Sequence, residues 1–463
     1  MNSIVIISAL AFLMIAAYRG YSVILFAPLA ALLAVLFTDP AAVLPLFSGV
    51  FMEKLGGFTK LYLPVFVLGA VFGKLIEVSG FARSIVAAVV RLAGGDRAIL
   101  AIVVVCGILT YGGVSLFVVV FAVYPFAAEL FRQGGIPKRL IPGTIALGAF
   151  SCTMDALPGS PQIQNIIPTT FFHTTTWAAP WLGVFGSVCV LAMGLGYLTW
   201  RQGQARRAGE GYGEGHSNEP DALIEASTVH PLIALSPLIV VGVGNFLLTR
   251  LIPEFYGTSY QTQFAGMAAP LVTEIKTVNA IWAVEGALTF GILTILACAF
   301  RTVAKSFAVS TKAAIAGALL ATMNTAAEYG FGAVIAALPG FVMIRDALSV
   351  IPHPLINEAV TVTTLAGITG SASGGLSIAL ASMATQFSAA AAAANIPPEV
   401  LHRVAAMASG GMDTLPHNGA VITLLAVTGL SHRQAYRDVF AITCIKTVAV
   451  FCVIGLYVLT GIV

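Results

Sequence analysis

The chain has 463 residues, of which 58% are hydrophobic and only 9% are charged. Soluble globular domains carry about 25% charged residues, so this chain has too little polar surface for a water-soluble body. Its net charge of +3 is spread thinly and indicates no nucleic-acid partner. The composition therefore predicts an all-α polytopic membrane protein whose outer surface contacts the lipid bilayer.

Apolar runs long enough to cross a bilayer, about 20 residues each, follow one another along the chain. The first run lacks the n-region and cleavage site of a signal peptide, so we interpret it as a span. We expect a multi-pass protein of the bacterial inner membrane. The predicted spans, in chain order, are 3–18, 22–38, 60–80, 98–131, 140–175, 178–200, 231–250, 279–300, 313–333, 356–393, 399–430 and 440–462.

One long polar stretch interrupts the apolar runs near the middle of the chain. Residues Arg201–Thr228 are rich in glycine, glutamate and arginine and show no apolar periodicity. This composition predicts a flexible cytoplasmic loop. The loop divides the chain into a first half, 1–200, a linker, 201–230, and a second half, 231–463.

Three short motifs of the first half recur in the second half in the same order. Internal repeats of this kind are an architecture of secondary transporters. We therefore predict two repeats, each with about five transmembrane spans, a re-entrant helical hairpin and a broken helix. The matching pairs are 111–116 with 373–378, 136–137 with 396–397 and 154–158 with 412–416, at offsets of 262, 260 and 258 residues.

The distribution of basic residues predicts that the two repeats are inverted. Lysine and arginine near span ends mark the cytoplasmic side. The segments flanking the second hairpin, 351–359 and 389–399, contain neither, so this hairpin should open outward. The first hairpin should open to the cytoplasm, because basic residues flank it on both sides. They are Arg83, Arg91, Arg97, Arg132, Lys138 and Arg139.

Two proline- and glycine-containing breaks interrupt predicted spans, one at 155–161 and one at 413–419. Proline removes a backbone donor and clashes with the preceding turn, so each break leaves a half-helix on either side. The upstream half ends in free carbonyls, which favour a cation. The downstream half begins with free N–H groups, which favour an anion.

The predicted hairpin tips, 110–115 and 370–375, offer glycine backbone and hydroxyl groups. Two tips and two breaks related by pseudosymmetry predict a midplane site for a small carboxylate with hydroxyl groups. Ordinary helix kinks with close packing of small residues are the alternative. The candidate substrate-binding residues are Tyr111, Gly112, Gly113, Ser115, Pro158, Gly159, Ser160, Ser371, Ser373, Gly374, Gly375, Pro416, His417 and Asn418.

Asp155 and Asp413 occupy equivalent positions beside the two breaks. Charged residues inside spans are costly, so we assign ion coupling to this pair. Either could carry a proton or help adjacent carbonyls to hold sodium. Alternatively, each could cap the half-helix downstream of it. His417, inside the second break, could bind a carboxylate or relay a proton, or it could be a satisfied core histidine.

The strings Leu157–Pro161 and Ser409–Gly411, the latter leading to Pro416–Gly419, make the sequence similar to the gluconate:proton symporter family of the ion transporter superfamily. The resemblance covers nearly the whole chain. The first break lacks the histidine that sugar-acid members carry between prolines. Residues 157–168 with 171–176 look more like the branch associated with short hydroxy acids such as 3-hydroxybutyrate. The resemblance implies proton-coupled uptake, an elevator-type motion and a homodimer.

The alternative hypothesis that the chain is an enzyme rests on the two intramembrane aspartates, which could form a protease dyad. Such proteases use a GxGD segment, and the nearest string, 410–413, has the wrong spacing. We therefore predict that the chain is not an enzyme. The six cysteines lie in apolar stretches without a CxxC or a His/Cys cluster, so we expect no metal and no cofactor. A sodium-coupled carrier and a passive facilitator stay open as alternatives.

Overall fold

The computed structural model describes residues 2–19, 21–93, 97–220, 229–343, 351–416 and 418–463. In the first half the helices are α1 (Asn2–Tyr18), α2 (Val23–Leu36), α3 (Pro40–Val78), α4 (Phe81–Ala93), α5 (Ala98–Tyr111), α6 (Leu116–Gln133), α7 (Ile141–Ala149), α8 (Cys152–Asp155), α9 (Ile163–Phe172) and α10 (Pro180–Arg207). In the second half they are α11 (Pro231–Tyr256), α12 (Ile275–Ala304), α13 (Phe307–Ala337), α14 (Pro354–Thr369), α15 (Ala372–Ala393), α16 (Pro398–Gly410), α17 (Gly419–Thr428) and α18 (His432–Thr460).

The structure confirms an all-α polytopic membrane protein. Seven helices of the described residues are long and apolar enough to cross a membrane. A short antiparallel pair, β1 (Ser259–Thr262) and β2 (Leu271–Glu274), connects α11 to α12. It is the one sheet formed by the described part of the chain.

The same order of elements occurs in both halves. Three helices come first, then a helical hairpin, a broken helix and a closing helix. In the first half these are α1–α3, α5 with α6, α7–α9 and α10, and α4 precedes the hairpin. In the second half they are α11–α13, α14 with α15, α16 with α17, and α18.

Two boundaries differ from the sequence prediction. Helix α3 begins at Pro40, well before the predicted span at 60–80, because Asp39 caps it by accepting from the N–H of Ala41. The added segment carries the exposed charged residues Glu53 and Lys54. The predicted loop at Arg201 is wrong for its first residues, because α10 continues to Arg207. The buried Arg201 guanidinium donates from Nε to Asp438 Oδ1 at 2.7 Å, which holds this last part of the helix against α18.

The helices pack into two groups. The first three helices of each half, α1–α3 and α11–α13, form a six-helix bundle. The hairpins, the broken helices and the closing helices α10 and α18 pack on one another and form a hairpin bundle. The bundles meet chiefly where α13 packs on α15. Tyr62 of α3 adds a hydrogen bond of 2.7 Å to Thr170 of α9.

Helix α18 links the open ends of the two hairpins. Near its start, Asp438 contacts Arg139, which follows the open end of the first hairpin, at 3.4 Å. Near its end, Tyr457 lines a cavity of about 550 Å³ together with Pro354 and Ala394, the open end of the second hairpin. The two hairpins therefore open at opposite ends of α18.

The segment 208–220 packs against the hairpin bundle, so the prediction of a flexible loop is wrong for these residues. Glu219 accepts from the buried ammonium of Lys138 at 2.7 Å and from Arg132 at 2.6 Å. Ser217 donates to the carbonyl of Gly429 at 2.9 Å. Arg139 donates two hydrogen bonds to Glu210 and holds the pKa of that carboxyl below its usual range. The rest of the predicted loop, 221–228, lies outside the described residues.

Candidate functional site

The tip of the first hairpin contacts the first break. The Tyr111 hydroxyl donates to the carbonyl of Pro158 at 2.8 Å. The Gln162 amide, at the end of the break, donates to the carbonyl of Thr110 at 2.8 Å. The Pro158 carbonyl lies between two helices, and the Thr110 carbonyl, near the end of α5, also accepts from the N–H of Gly113 at 3.0 Å. The hairpin tip and the break thus form one connected unit.

The tip of the second hairpin contacts the second break in the same way. The Asn418 amide donates to the carbonyl of Gly370 at 2.8 Å. Asp413 accepts from the backbone N–H of Ala372 at 3.2 Å, at the first residue of α15. A carboxylate at a helix N-terminus is stabilised by the free N–H groups and the helix dipole. Asp413 therefore occupies an anion position that the hairpin itself provides.

Neither aspartate caps the half-helix downstream of it. Helix α17 begins after Asn418, whose side chain accepts from the N–H of Ala420 at 2.7 Å. Helix α9 begins after Gln162, and no described side chain caps it. The capping alternative for Asp155 and Asp413 is therefore wrong.

The two breaks meet in the centre of the hairpin bundle. Gln164 of α9 donates to Asp413 of the second break at 3.0 Å, and both residues are buried. Asp155 of the first break lies directly against Gly410, the last residue of α16. The pseudosymmetric motifs of the two halves thus form one buried cluster.

A lysine from α18 lies between the breaks. The Lys446 ammonium donates to the carbonyls of Phe150 and Gly410 and lies 3.8 Å from Asp155 Oδ2. Phe150 follows the last residue of α7, and Gly410 is the last residue of α16. The carbonyl ends of both upstream half-helices therefore face a cation, as their dipoles favour. That cation is a side chain of the protein, which the sequence analysis does not predict.

Arg403 of α16 holds the first break from the opposite half of the protein. Its guanidinium is fully buried and donates to the carbonyl of Asp155 at 2.9 Å and to Asn165 Oδ1 at 3.0 Å. It also donates to the carbonyl of Ala178 at 2.7 Å. The planar fork of arginine reaches several acceptors at once, so one side chain fixes the irregular backbone on both sides of α9.

The cluster contains equal numbers of acidic and basic side chains. Asp155, Asp413, Lys446 and Arg403 are all buried, and Asp155 lies within electrostatic reach of the other three. Charges are buried at low cost only when they are paired or hydrogen-bonded. Two acids and two bases make the cluster neutral when all four are charged.

Some polar atoms of this region have no protein partner. Among the described residues, none makes a hydrogen bond to Asp155 Oδ2, Gln164 Oε1 or Thr110 Oγ1, although all three atoms are buried. Buried polar atoms are nearly always hydrogen-bonded in proteins, so such atoms indicate a position for a ligand, a proton or water. All three atoms belong to the first hairpin tip or to the residues flanking the first break.

Several predicted site residues contact protein in this structure. A methyl group at Gly112 would overlap Leu238 of α11, and one at Gly159 would overlap the Trp177 ring. The Ser160 hydroxyl donates to the carbonyl of Thr153 at 2.5 Å. Other predicted residues that are buried or covered by protein atoms are Gly113, Pro158, Gly374 and Gly375.

The partly exposed polar residues cluster at the hairpin tips. Ser371 and Ser373 lie 3.5 Å apart at their hydroxyl oxygens, and Ser373 lies 3.5 Å from Thr325 of α13. The Glu328 carboxylate of α13 lies directly against Gly374. The remaining partly exposed candidates are Tyr111, Ser115, Pro416 and Asn418. His417 lies outside the described residues.

Sequence reasoning missed Lys446 and Arg403, the two basic members of the cluster. Each is a basic residue in an otherwise apolar span. A charged residue in an apolar span is also the pattern from which the two aspartates were predicted. Sequence reasoning also missed Glu358 of α14, which is fully buried and whose two carboxylate oxygens accept no hydrogen bond from the described residues. None of these three residues lies in the proline- and glycine-containing motifs from which the site was predicted.

Replacing Gly410 by alanine should disrupt the cluster. The added methyl group would lie 1.6 Å from Asp155 Oδ2, so the aspartate or α16 would have to move. Overpacking costs about 1–3 kcal/mol. We expect a lower midpoint of thermal unfolding in detergent and loss of uptake. Gly419→Ala is the matched control, since no atom lies within 4 Å of its added methyl group. Wild-type behaviour of both variants would contradict close contact between Gly410 and Asp155.

Comparisons with known proteins bear on what this cluster does. No family model matches the sequence. The sequence is 57% identical over 472 residues to YxjC of Bacillus subtilis, named an uncharacterized transporter, and the match covers 100% of both chains. The fold is similar to that of the Alcanivorax borkumensis YdaH transporter, whose crystal structure reveals an unusual topology. The TM-score is 0.52 at 15% identity, with 91% of this chain and 90% of that chain covered.

Proposed function

This chain belongs to the same family of transporters as YxjC, and from that premise we propose that it takes up a small hydroxycarboxylate by proton symport. Candidate substrates are 3-hydroxybutyrate and gluconate. We place the protein in the bacterial inner membrane. The observation that carries the proposal is the buried cluster of two acidic and two basic side chains, Asp155, Asp413, Lys446 and Arg403, at the junction of the two breaks.

Charge balance favours entry of an anion together with a proton. A monocarboxylate that bound beside the neutral cluster would leave one excess negative charge in a region poor in water. A proton bound by one aspartate removes that excess, so substrate and proton together keep the cluster neutral. A sodium ion would satisfy the same balance, but the two helix-end carbonyls that could hold it already accept from Lys446.

The second hairpin tip favours a substrate with hydroxyl groups. Ser371 and Ser373 offer hydroxyls, and Glu328 offers carboxylate oxygens that accept from a donor. We expect a substrate hydroxyl to bind here, because it can donate to the Glu328 side-chain oxygens. The free N–H groups at the start of α9 supply the position for the substrate carboxylate.

We further propose an elevator-type motion in which the hairpin bundle moves along the six-helix bundle. The contacts of Gly112 with Leu238 and of Gly113 with Leu288 join the first tip to the six-helix bundle. Separation of these contacts would free the tip backbone for a ligand. The six-helix bundle would stay fixed, and we expect it to carry the contacts of a homodimer.

Uptake into proteoliposomes tests the proposal. Labelled 3-hydroxybutyrate, gluconate and lactate are offered first under a proton gradient and then under a sodium gradient. We expect accumulation of at least one hydroxy acid above equilibrium under the proton gradient alone, and its collapse with a protonophore. Accumulation under sodium alone would identify a sodium-coupled carrier. Equilibration without accumulation would identify a passive facilitator, and absence of transport would overturn the substrate class.

A further inference from the structure

Lys446 lies half-way along α18, where the C-terminal ends of two half-helices, α7 and α16, meet. Each half-helix ends in free carbonyls and carries the negative end of its dipole there. The Lys446 ammonium fills the gap between them, with the Asp155 carboxylate as its nearest charged neighbour at 3.8 Å. Backbone carbonyls and a carboxylate are the donors with which broken helices of transporters bind a coupling cation.

We propose that Lys446 is a tethered cation that takes the place of a coupling ion, and that the Lys446–Asp155 pair carries the coupling proton. The inference rests on the proposed function, which it deepens by assigning the coupling residues. A proton that reaches Asp155 Oδ2 forms the O–H of a carboxylic acid and ends the ion pair. Lys446 keeps its own proton and its two carbonyl acceptors, and the cluster gains one positive charge for one substrate anion.

The environment distinguishes Asp155 from the other buried acid of the cluster. Asp413 accepts from the Gln164 amide and the N–H of Ala372, so both of its oxygens have donors. No described residue donates to Asp155 Oδ2. This oxygen is therefore the free position that an added proton can occupy without displacing a hydrogen bond.

The other charged and titratable groups around the pair are few. Asp413 and Arg403 face it across the breaks, and Cys152 is the neighbouring thiol on α8. Arg403 stays charged, because guanidinium does not deprotonate in proteins. Asp438, with its own arginine partners, is 8 residues from Lys446 on the same helix, about 12 Å away. Proton exchange at the pair thus takes place beside the Arg403 guanidinium and the hydrogen-bonded Asp413 carboxyl.

The test compares Asp155→Asn, Lys446→Ala and Lys312→Ala, an exposed lysine of α13 that serves as the matched control. Two readouts are taken in the same proteoliposomes: counterflow of substrate without gradients, and accumulation under a proton gradient. We expect Asp155→Asn to retain counterflow within about threefold, to lose accumulation at least tenfold, and to lose the pH dependence of counterflow. The control should behave as wild type.

Lys446→Ala should also lose proton-driven accumulation at least tenfold. Because it empties the carbonyl site, sodium on both sides should raise its counterflow, whereas wild type should not respond to sodium. Wild-type accumulation in either Asp155→Asn or Lys446→Ala would overturn the proposal. Absence of a sodium response in Lys446→Ala would overturn the tethered-cation part of it.

A second variant covers the case in which Lys446→Ala does not fold. Asp155→Asn/Lys446→Gln removes one charge of each sign and so keeps the acidic and basic side chains of the cluster equal in number; it should fold and lose accumulation, and accumulation by this variant would overturn the proposal. An infrared measurement without substrate separates the coupling assignment from the proposed substrate class. A pH jump should produce an infrared band of a protonated carboxylic acid that weakens in Asp155→Asn. Wild type with this band but no counterflow of any tested acid would overturn the substrate class alone, whereas an unchanged band in Asp155→Asn would overturn the coupling assignment.

Discussion

Arg403→Met is expected to destabilise the protein by several kcal/mol and to abolish transport. The buried guanidinium supplies donors to the carbonyls of Asp155 and Ala178 and to Asn165 Oδ1. Methionine fills similar space but donates nothing, so the buried carbonyls of Asp155 and Ala178 lose this donor at about 1–3 kcal/mol each. Asn165 Oδ1 keeps a contact of 3.2 Å to His402 Nε2. The substitution also leaves the cluster one positive charge short. The midpoint of thermal unfolding in detergent and proteoliposome uptake measure the two effects.

Two further variants sharpen the Arg403 experiment. Arg403→Lys keeps the charge but concentrates its donors on one nitrogen, so we expect partial stability and strongly reduced uptake. Arg433→Met, at the exposed start of α18, should leave both measurements at wild-type values. A wild-type midpoint for Arg403→Met would mean that the carbonyls of the first break do not depend on this side chain.

Arg403 also shows why neither half can form the site alone. It belongs to the second half and holds the break of the first half, while Gln164 of the first half donates to Asp413 of the second. Lys446 contacts helix ends of both halves. Because each break is completed by a side chain of the other half, the cluster forms only when the two halves of the chain pack together.

The elements of the site were predictable from sequence because they are local. Prolines 158, 161 and 416 interrupt apolar runs, and glycines mark the hairpin tips, so the hairpins and breaks lie where the prediction puts them. The partners of the aspartates were not predictable. Arg403 and the Asp155 carbonyl that it contacts are 248 residues apart, and no local pattern links them. The ordered packing of 208–220 was not predictable either. Its composition predicts a flexible loop, and the ion pairs that hold it depend on distant side chains of the hairpin bundle.

Cysteines introduced at positions 134 and 394 are expected to react with a membrane-impermeant thiol reagent from opposite faces of the membrane. Gly134 follows the open end of the first hairpin, and Ala394 follows that of the second. The measurement requires a background without the six native cysteines. It compares right-side-out with inverted vesicles. A third cysteine at Glu214 should label from the same face as position 134, because its neighbour Glu219 pairs with Arg132.

The geometry of α18 is the physical reason to expect this result. Asp438 contacts Arg139 near the first opening, and Tyr457 lines the cavity at the second. Asp438 and Tyr457 are 19 positions apart, a rise of about 28 Å, close to the ~30 Å of a hydrocarbon core. Labelling of positions 134 and 394 from one face would require α18 to lie along the membrane rather than across it. Its 29 residues are too apolar for that arrangement, so such a result would overturn the inverted repeat.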